Sequence, residues 1–197
     1  TASILGLAPA LKAGIIDKDI IIDAKSGVSG AGRGLSLKTH YSEVNESVSA
    51  YGLDGHRHMP EIAQELTLAA GEEVSLTFVP HLIPMTRGIL ATSYASIKQD
   101  FLSSNEKITE GVMEIYSDAY QDEEFVKVTT SAPMTKQTLG GNDCLVHPTV
   151  DKRNGRLVMV SCIDNLVKGA AGQAVQNMNI MCGIQENAGL HQLALYP

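Results

Sequence analysis

The chain has 197 residues, 44% of them hydrophobic and 19% charged, with a net charge of −7. That length suits one domain or one large piece of a two-domain protein, and the apolar content argues against disorder. The acidic balance argues against a general nucleic-acid binder, and no apolar run reaches the roughly 18 residues of a membrane span.

The three cysteines, Cys144, Cys162 and Cys182, are odd in number and lack C-x-x-C spacing. They read as buried thiols of a reducing cytoplasm. The chain opens on Thr1 in an apolar helical pattern with no charged leader, which reads as a chain cut from something longer.

The spacing of Ile4, Leu5, Leu7, Ala8 and Leu11 predicts a helix over 2–13 ended by Gly14, with Pro9 as an interior objection. Asp19–Ala24 reads as a strand feeding a glycine-rich stretch, Ser26–Arg33. Gly27, Gly30 and Gly32 permit positive φ and close approach of a ligand, and consecutive free N–H groups there form an anion-binding nest. Arg33 adds a planar cation suited to phosphate or carboxylate. The same composition also fits a plain surface turn. It is neither a Walker A loop nor a Rossmann fingerprint. Residues 39–50 are polar and read as loop with a short helix, facing a function or a partner.

Pro60 and Glu61 predict a helix start running to Ala70, closed by Gly71, with His56 and His58 in an extended approach to it. A strand over 74–79 is broken by Pro80, and a long strand over 85–97 carries Arg87 and Gly88 near its start. A helix spans 108–120 with Ser104–Asn105 as caps. Short strand 125–128 and a turn region at 135–141 follow. Strands 143–149 and 156–163 are joined by a turn containing Asn154-Gly155, a strong hairpin signal. Asp164-Asn165 caps a last helix over 166–181, whose small residues permit close packing against a sheet or a cofactor. Residues 189–197 form a tail. Strands, helices and an antiparallel hairpin together give α+β with a mixed sheet.

His56 and His58 are the best acid–base candidates, because imidazole titrates near neutrality. His56, His58 and His81 also offer three nitrogens to a metal, but no spacing enforces a zinc site, and none is assigned. Arg33, Arg57 and Arg87 each sit beside glycine, histidine or threonine in segments flanking strands, and three such arginines point to an anionic ligand. The Asn165 amide has a second reading, facing a ligand at the sheet edge. The cysteines lie away from any activating pattern.

Taken together, these blocks resemble the N-acetyl-γ-glutamyl-phosphate reductase family, relatives of aspartate-semialdehyde dehydrogenase in arginine biosynthesis. The matching stretches are Ser26–Arg33, His40–Glu46, His56–Ile62, Phe78–Ile89 and Asp164–Gln176. The resemblance implies a glyceraldehyde-3-phosphate-dehydrogenase-like domain, with a mixed, largely antiparallel sheet and helices on one face. It implies that residues 1–197 form a single catalytic and dimerisation domain. The NADP-binding Rossmann domain and the cysteine nucleophile, three residues before Thr1, then lie outside the chain. In the implied reaction a thiolate attacks an acyl phosphate and NADPH reduces the thioester to the semialdehyde. His56 matches the base. Arg33, Arg57 and Arg87, with His58, are the substrate-binding candidates, and Ser29, Gly30 and Asn165 the cofactor-binding ones. The dipole of helix 2–13 would lower the thiol's pKa. The implied partners are a small acyl phosphate, the chain's own Rossmann domain and further copies in a homodimer or homotetramer, in the cytoplasm and without nucleic acid or membrane. Two alternatives stay open: a relative acting on a carrier-linked amino-adipyl phosphate in lysine synthesis, and a non-catalytic dimerisation or anion-binding module.

Overall fold

The computed structural model describes residues 1–104 and 107–196. Seven strands form one sheet: β1 (Ile16–Ser26), β2 (Ser49–Ala50), β3 (Ser75–Leu82), β4 (Ile89–Ile97), β5 (Val126–Val128), β6 (Cys144–Asp151) and β7 (Arg156–Ile163). Their order is β2-β3-β1-β4-β7-β6-β5. β1 pairs in parallel with β3, and β5 with β6, while the other four pairings are antiparallel. The expected α+β architecture with a mixed, largely antiparallel sheet is what forms.

Helix α1 (Ala2–Lys12) lies on one face of the sheet, flanked by α3 (Met59–Ala70) and α5 (Ile108–Tyr120). It buries Leu7, Ala10 and Leu11 against Ile20 and Ile22 of β1 and Leu157 and Met159 of β7. The alternation of β1 explains this: its even-numbered residues face the helices and its odd-numbered ones face away. A Cβ on Gly6 would stand 2.9 Å from Met159 Cγ, so the helix meets β7 at a residue with no side chain.

Pro9 does sit inside α1, and the fold answers the lost donor. Pro9 has no N–H for the Leu5 carbonyl, and the Tyr120 hydroxyl donates to that oxygen at 2.5 Å. The fully buried Tyr116 hydroxyl donates to Gly6 O at 2.7 Å. Tyr116→Phe is therefore expected to cost about 1–2 kcal/mol, read as a fall in Tm of roughly 2–8 °C in calorimetry. An unchanged Tm would show that this bond adds nothing to stability.

Several boundaries differ from expectation. β3 runs through Pro80 instead of stopping there. Its outer neighbour β2 is two residues long, so the missing N–H interrupts no long ladder. β4 begins at Ile89; Met85–Gly88 is a turn, with Gly88 at φ +112°. β1 is longer than expected at both ends. A helix unforeseen in the sequence, α4 (Gln99–Ser104), takes Ser104 into its last turn, and α5 starts after Lys107. Asn105 lies outside the described residues. The long polar stretch contains α2 (Tyr41–Val44) and β2.

The last helix is divided. Val167–Ala171 winds as a π-turn, and α6 (Gly172–Met181) continues as α-helix. Beneath it lies a buried polar group. The Lys168 ammonium donates to Gln176 Oε1 at 2.6 Å and stands 5.4 Å from the Phe125 ring, and Gln176 Nε2 donates to Glu186 at 2.9 Å.

The face of the sheet away from α1 is lined by cross-strand rows such as Thr77, Ile21, Tyr94, Val158 and Thr149. Ile21 at its centre is 45% exposed. Here Asp23 pairs with Lys25 at 2.8 Å and with His81 at 3.0 Å.

Candidate active site

β1 ends at Ser26, and the chain turns into a 3₁₀ segment, Val28–Ala31. This glycine loop lies against the Met85–Gly88 turn. Gly27 N–H donates to Gly88 O at 2.9 Å, Val28 N–H to Met85 O at 2.9 Å and Ser29 N–H to Thr86 O at 3.1 Å. A Cβ on Gly27 would stand 2.9 Å from both Arg87 N and Thr86 O, so the two backbones cross where only glycine fits. The expected anion nest is corrected by these bonds. The N–H groups of Gly27, Val28 and Ser29 are spent on the neighbouring turn, and those of Gly30 and Gly32 donate within the loop. What the loop offers an anion is the side chain of Arg33, which is exposed and holds no ion pair among the described residues.

Asn165 joins loop and turn. Its Oδ1 accepts from Gly88 N–H at 2.7 Å, and its Nδ2 donates to Ser29 Oγ at 2.9 Å. A Cβ on Gly30 would sit 3.5 Å from that Nδ2, so the bare glycine leaves the amide open on one side. Ser29, Gly30 and Asn165, singled out in the sequence as one group, are together here. Asp164 beside it is fully buried. Its Oδ1 accepts from Leu166 and Val167 N–H at 2.8 and 3.1 Å, and its Oδ2 from Gly140 N–H at 2.7 Å. Arg87 reaches both oxygens at 2.9 Å through one terminal nitrogen. Burial pushes this carboxyl's pKa up, but the donors from Gly140, Leu166, Arg87 and Val167 outweigh it and hold the group below the usual range.

The second part of the site precedes α3. His56 is half-buried, with three rings set edge-on to it: Tyr51 at 5.5 Å, His58 at 5.0 Å and Phe78 at 5.4 Å between centroids. His56 and His58 are not on an extended segment. They share a turn, in which the His58 backbone N–H donates to His56 Nδ1 at 3.2 Å. Neutral His56 thus carries its proton on Nε2. Burial lowers its pKa, helped by neighbouring His58 and Arg57. Arg57 is exposed. Pro60 occupies the first turn of α3 and Glu61 follows it, as the spacing predicts. Helix α1 packs against α3, whose first turn holds Glu61.

His81 stands apart from the other two histidines. Phe78, against His56, pairs with Ile22 on the helix-covered side, whereas His81 pairs with Lys25 on the opposite side, 3.0 Å from Asp23. No cluster of three or more His, Cys, Asp or Glu forms a metal site among the described residues. Tyr51 and Phe78 escape the sequence reading. Tyr51 precedes a pair of turn glycines, Gly52 and Gly55, which was the only local signal that the chain folds it back on His56.

Cys144 and Cys162 are buried in β6 and β7, and burial pushes their thiols up to about 12 and about 11. Cys182 is exposed, against the expectation of burial, because it lies at the end of α6. Of these three, only Cys182 is expected to react with Ellman's reagent at pH 8 before unfolding. Peptide mapping that finds Cys144 labelled in the native protein would contradict the burial described here.

A family model for the semialdehyde dehydrogenase dimerisation domain matches residues 1–165. An N-acetyl-γ-glutamyl-phosphate reductase of Dehalococcoides mccartyi is 54% identical over 198 residues, covering 100% of this chain and 56% of the relative. One from Pelobacter propionicus is 55% identical over 201 residues with the same coverage. The chain thus spans about half the length of the curated relatives it matches. Among solved structures, aspartate semialdehyde dehydrogenase II of Vibrio cholerae superposes with a TM-score of 0.67 at 16% identity, over 92% of this chain and 59% of that one. Fold and sequence agree: this chain belongs to the semialdehyde dehydrogenase dimerisation-domain family.

Proposed function

We propose that the chain is the catalytic and pairing domain of an NADP-dependent reductase that converts N-acetyl-γ-glutamyl phosphate to the semialdehyde and phosphate. The observation that carries this is identity above half along the whole chain to proteins of that name. Relatives at 52–55% identity bear the N-acetyl-γ-glutamyl-phosphate reductase name, which favours that substrate over a carrier-linked amino-adipyl phosphate.

In this reading the nucleophilic cysteine lies just before Thr1 in the full-length protein, at the N-terminus of α1. The packing of α1 against α3, the helix that His56 and His58 precede, supports this. His56 acts through Nε2. In its Nδ1–H tautomer Nε2 takes the proton of the thiol, and the imidazolium so formed returns that proton to the substrate oxygen that gains charge. Its lowered pKa keeps it neutral at pH 7. Arg33 and Arg57, exposed and without ion pairs among the described residues, bind the phosphate and carboxylate of the substrate, with His58 beside them.

The glycine loop suits the dinucleotide. Gly30 is exposed, and its missing Cβ leaves the Asn165 amide accessible beside Ser29. NADPH supplies hydride there when bound; Ser29, Gly30 and Asn165 orient it. Two copies pair through the sheet face that carries Ile21 and Tyr94.

The test uses the full-length protein in the reverse direction. N-acetylglutamate semialdehyde, phosphate and NADP should give NADPH absorbance that depends on all three. A folded protein without that activity, or one active only on an amino-adipyl semialdehyde, would overturn the assignment.

A further inference from the structure

We infer that Asp164 and Arg87 form a latch that positions the glycine loop, and that Arg87 serves the reaction through that loop and not as a substrate ligand. This rests on the proposed reductase reading, but its first test does not depend on activity.

The geometry leads from one element to the next. Arg87 lies in the middle of the Met85–Gly88 turn, whose carbonyls take the N–H groups of Gly27, Val28 and Ser29. That turn has no regular structure of its own, and Gly88 holds a positive φ of +112°. Two side chains just past the end of the neighbouring strand β7 fix it. Asn165 accepts from the Gly88 N–H, and Asp164 holds the Arg87 guanidinium at 2.9 Å on both oxygens. Asp164 is in turn fixed by three backbone donors, from Gly140, Leu166 and Val167. So one buried carboxylate joins the β5–β6 connection, the start of the last helix and the turn that carries the glycine loop. A buried carboxylate with four donors has a determined position, and it transmits that position to its partner. Breaking the pair leaves an uncompensated charge and lets the turn move.

Arg87 Nε is buried and has no hydrogen-bond partner. That open donor is the one feature that fits a ligand role for Arg87, so the test must separate the two roles. Asp164, fully buried and saturated, touches no ligand in either case.

The experiment compares full-length wild-type protein with Asp164→Asn, Arg87→Lys, Arg87→Gln and the Asp164→Asn/Arg87→Gln pair. Hydrogen–deuterium exchange is read on peptides covering residues 26–34 and, as a control, β4 and β7. The latch predicts that Asp164→Asn and Arg87→Gln each speed exchange in 26–34 by about tenfold or more, with the control strands unchanged. In the reverse assay both variants should raise KM for NADP by about tenfold. The double variant should be no worse than the poorer single one, because the two act as a unit. Arg87→Lys should recover part of the loss. If Arg87→Gln fails to fold, Asp164→Asn and Arg87→Lys still give the exchange reading. Unchanged exchange and unchanged KM in Asp164→Asn, with kcat/KM lowered in Arg87→Gln alone, would make Arg87 a substrate ligand and overturn the latch. If no variant or wild type shows activity, exchange alone decides the latch, and the reductase reading fails separately.

Discussion

Full-length protein carrying His56→Ala is expected to lose kcat/KM by a factor on the order of 10²–10⁴ while keeping its fold, the range for removing a positioned acid–base group. The rings of Tyr51, His58 and Phe78 around His56 orient the imidazole, and the His58 N–H on Nδ1 leaves Nε2 as the reactive atom. A pH profile adds a second reading. Burial, His58 and Arg57 lower the His56 pKa, so its proton is lost at a pH below the ordinary histidine value of about 6.5. The acidic limb of kcat/KM due to His56 should therefore rise below that pH and be flat above it. In His56→Ala that limb should vanish. A variant with near wild-type kcat/KM, or an unaltered acidic limb, would remove His56 from the chemistry.

Gly172→Ala is expected to destabilise the protein, against the usual effect of alanine in a helix. In an ordinary helix, alanine for glycine would stabilise by up to ~1 kcal/mol. Here the new Cβ would lie 2.2 Å from Asn142 Oδ1, 2.7 Å from Val167 Cγ1 and 2.9 Å from the Val167 carbonyl carbon. Asn142 is buried and packed from several sides, so it has little room to retreat. Overpacking of this kind costs about 1–3 kcal/mol, occasionally more. Net of the propensity gain, a loss of about 1–2 kcal/mol corresponds to a Tm lower by roughly 2–8 °C. Gly169→Ala, whose nearest atoms are at 3.3 Å, should lose less. A Tm that stays level or rises in Gly172→Ala would show that the π-turn can shift to admit a methyl group.

The elements legible from sequence are those whose signal is local. The helix 108–120 and the strand 156–163 appear with the bounds their periodicity and the Asn154-Gly155 turn predict. The α3 start follows from Pro60 and Glu61. The failures share one cause: they depend on a partner distant in sequence. Pro80 reads as a strand breaker until β2 proves too short to need its N–H. The glycine loop reads as a free nest until Met85–Gly88 takes its donors. Arg87 is recognised as a special cation, but only Asp164, far along the chain, shows what it binds. Likewise, nothing near His56 announces Phe78.

The parallel pairing of β1 with β3 has a consequence for how such a site varies. Asp19 pairs with Ser75, so the glycine loop, Arg33, the polar stretch and the two histidines all belong to the segment that must close before that pair can form. The entropy of closing a segment grows only with the logarithm of its length, roughly 0.6 kcal/mol for each doubling. Residues can therefore be added or removed between Arg33 and Tyr51 at small thermodynamic cost, while the register of the sheet stays pinned by Ile20 and Ile22 beneath α1. The same topology slows folding, because the pairing is non-local. A chain built this way keeps its scaffold constant and leaves the length of the segment between Arg33 and Tyr51 free to drift, so insertion and deletion there disturb the sheet as little as point substitution does.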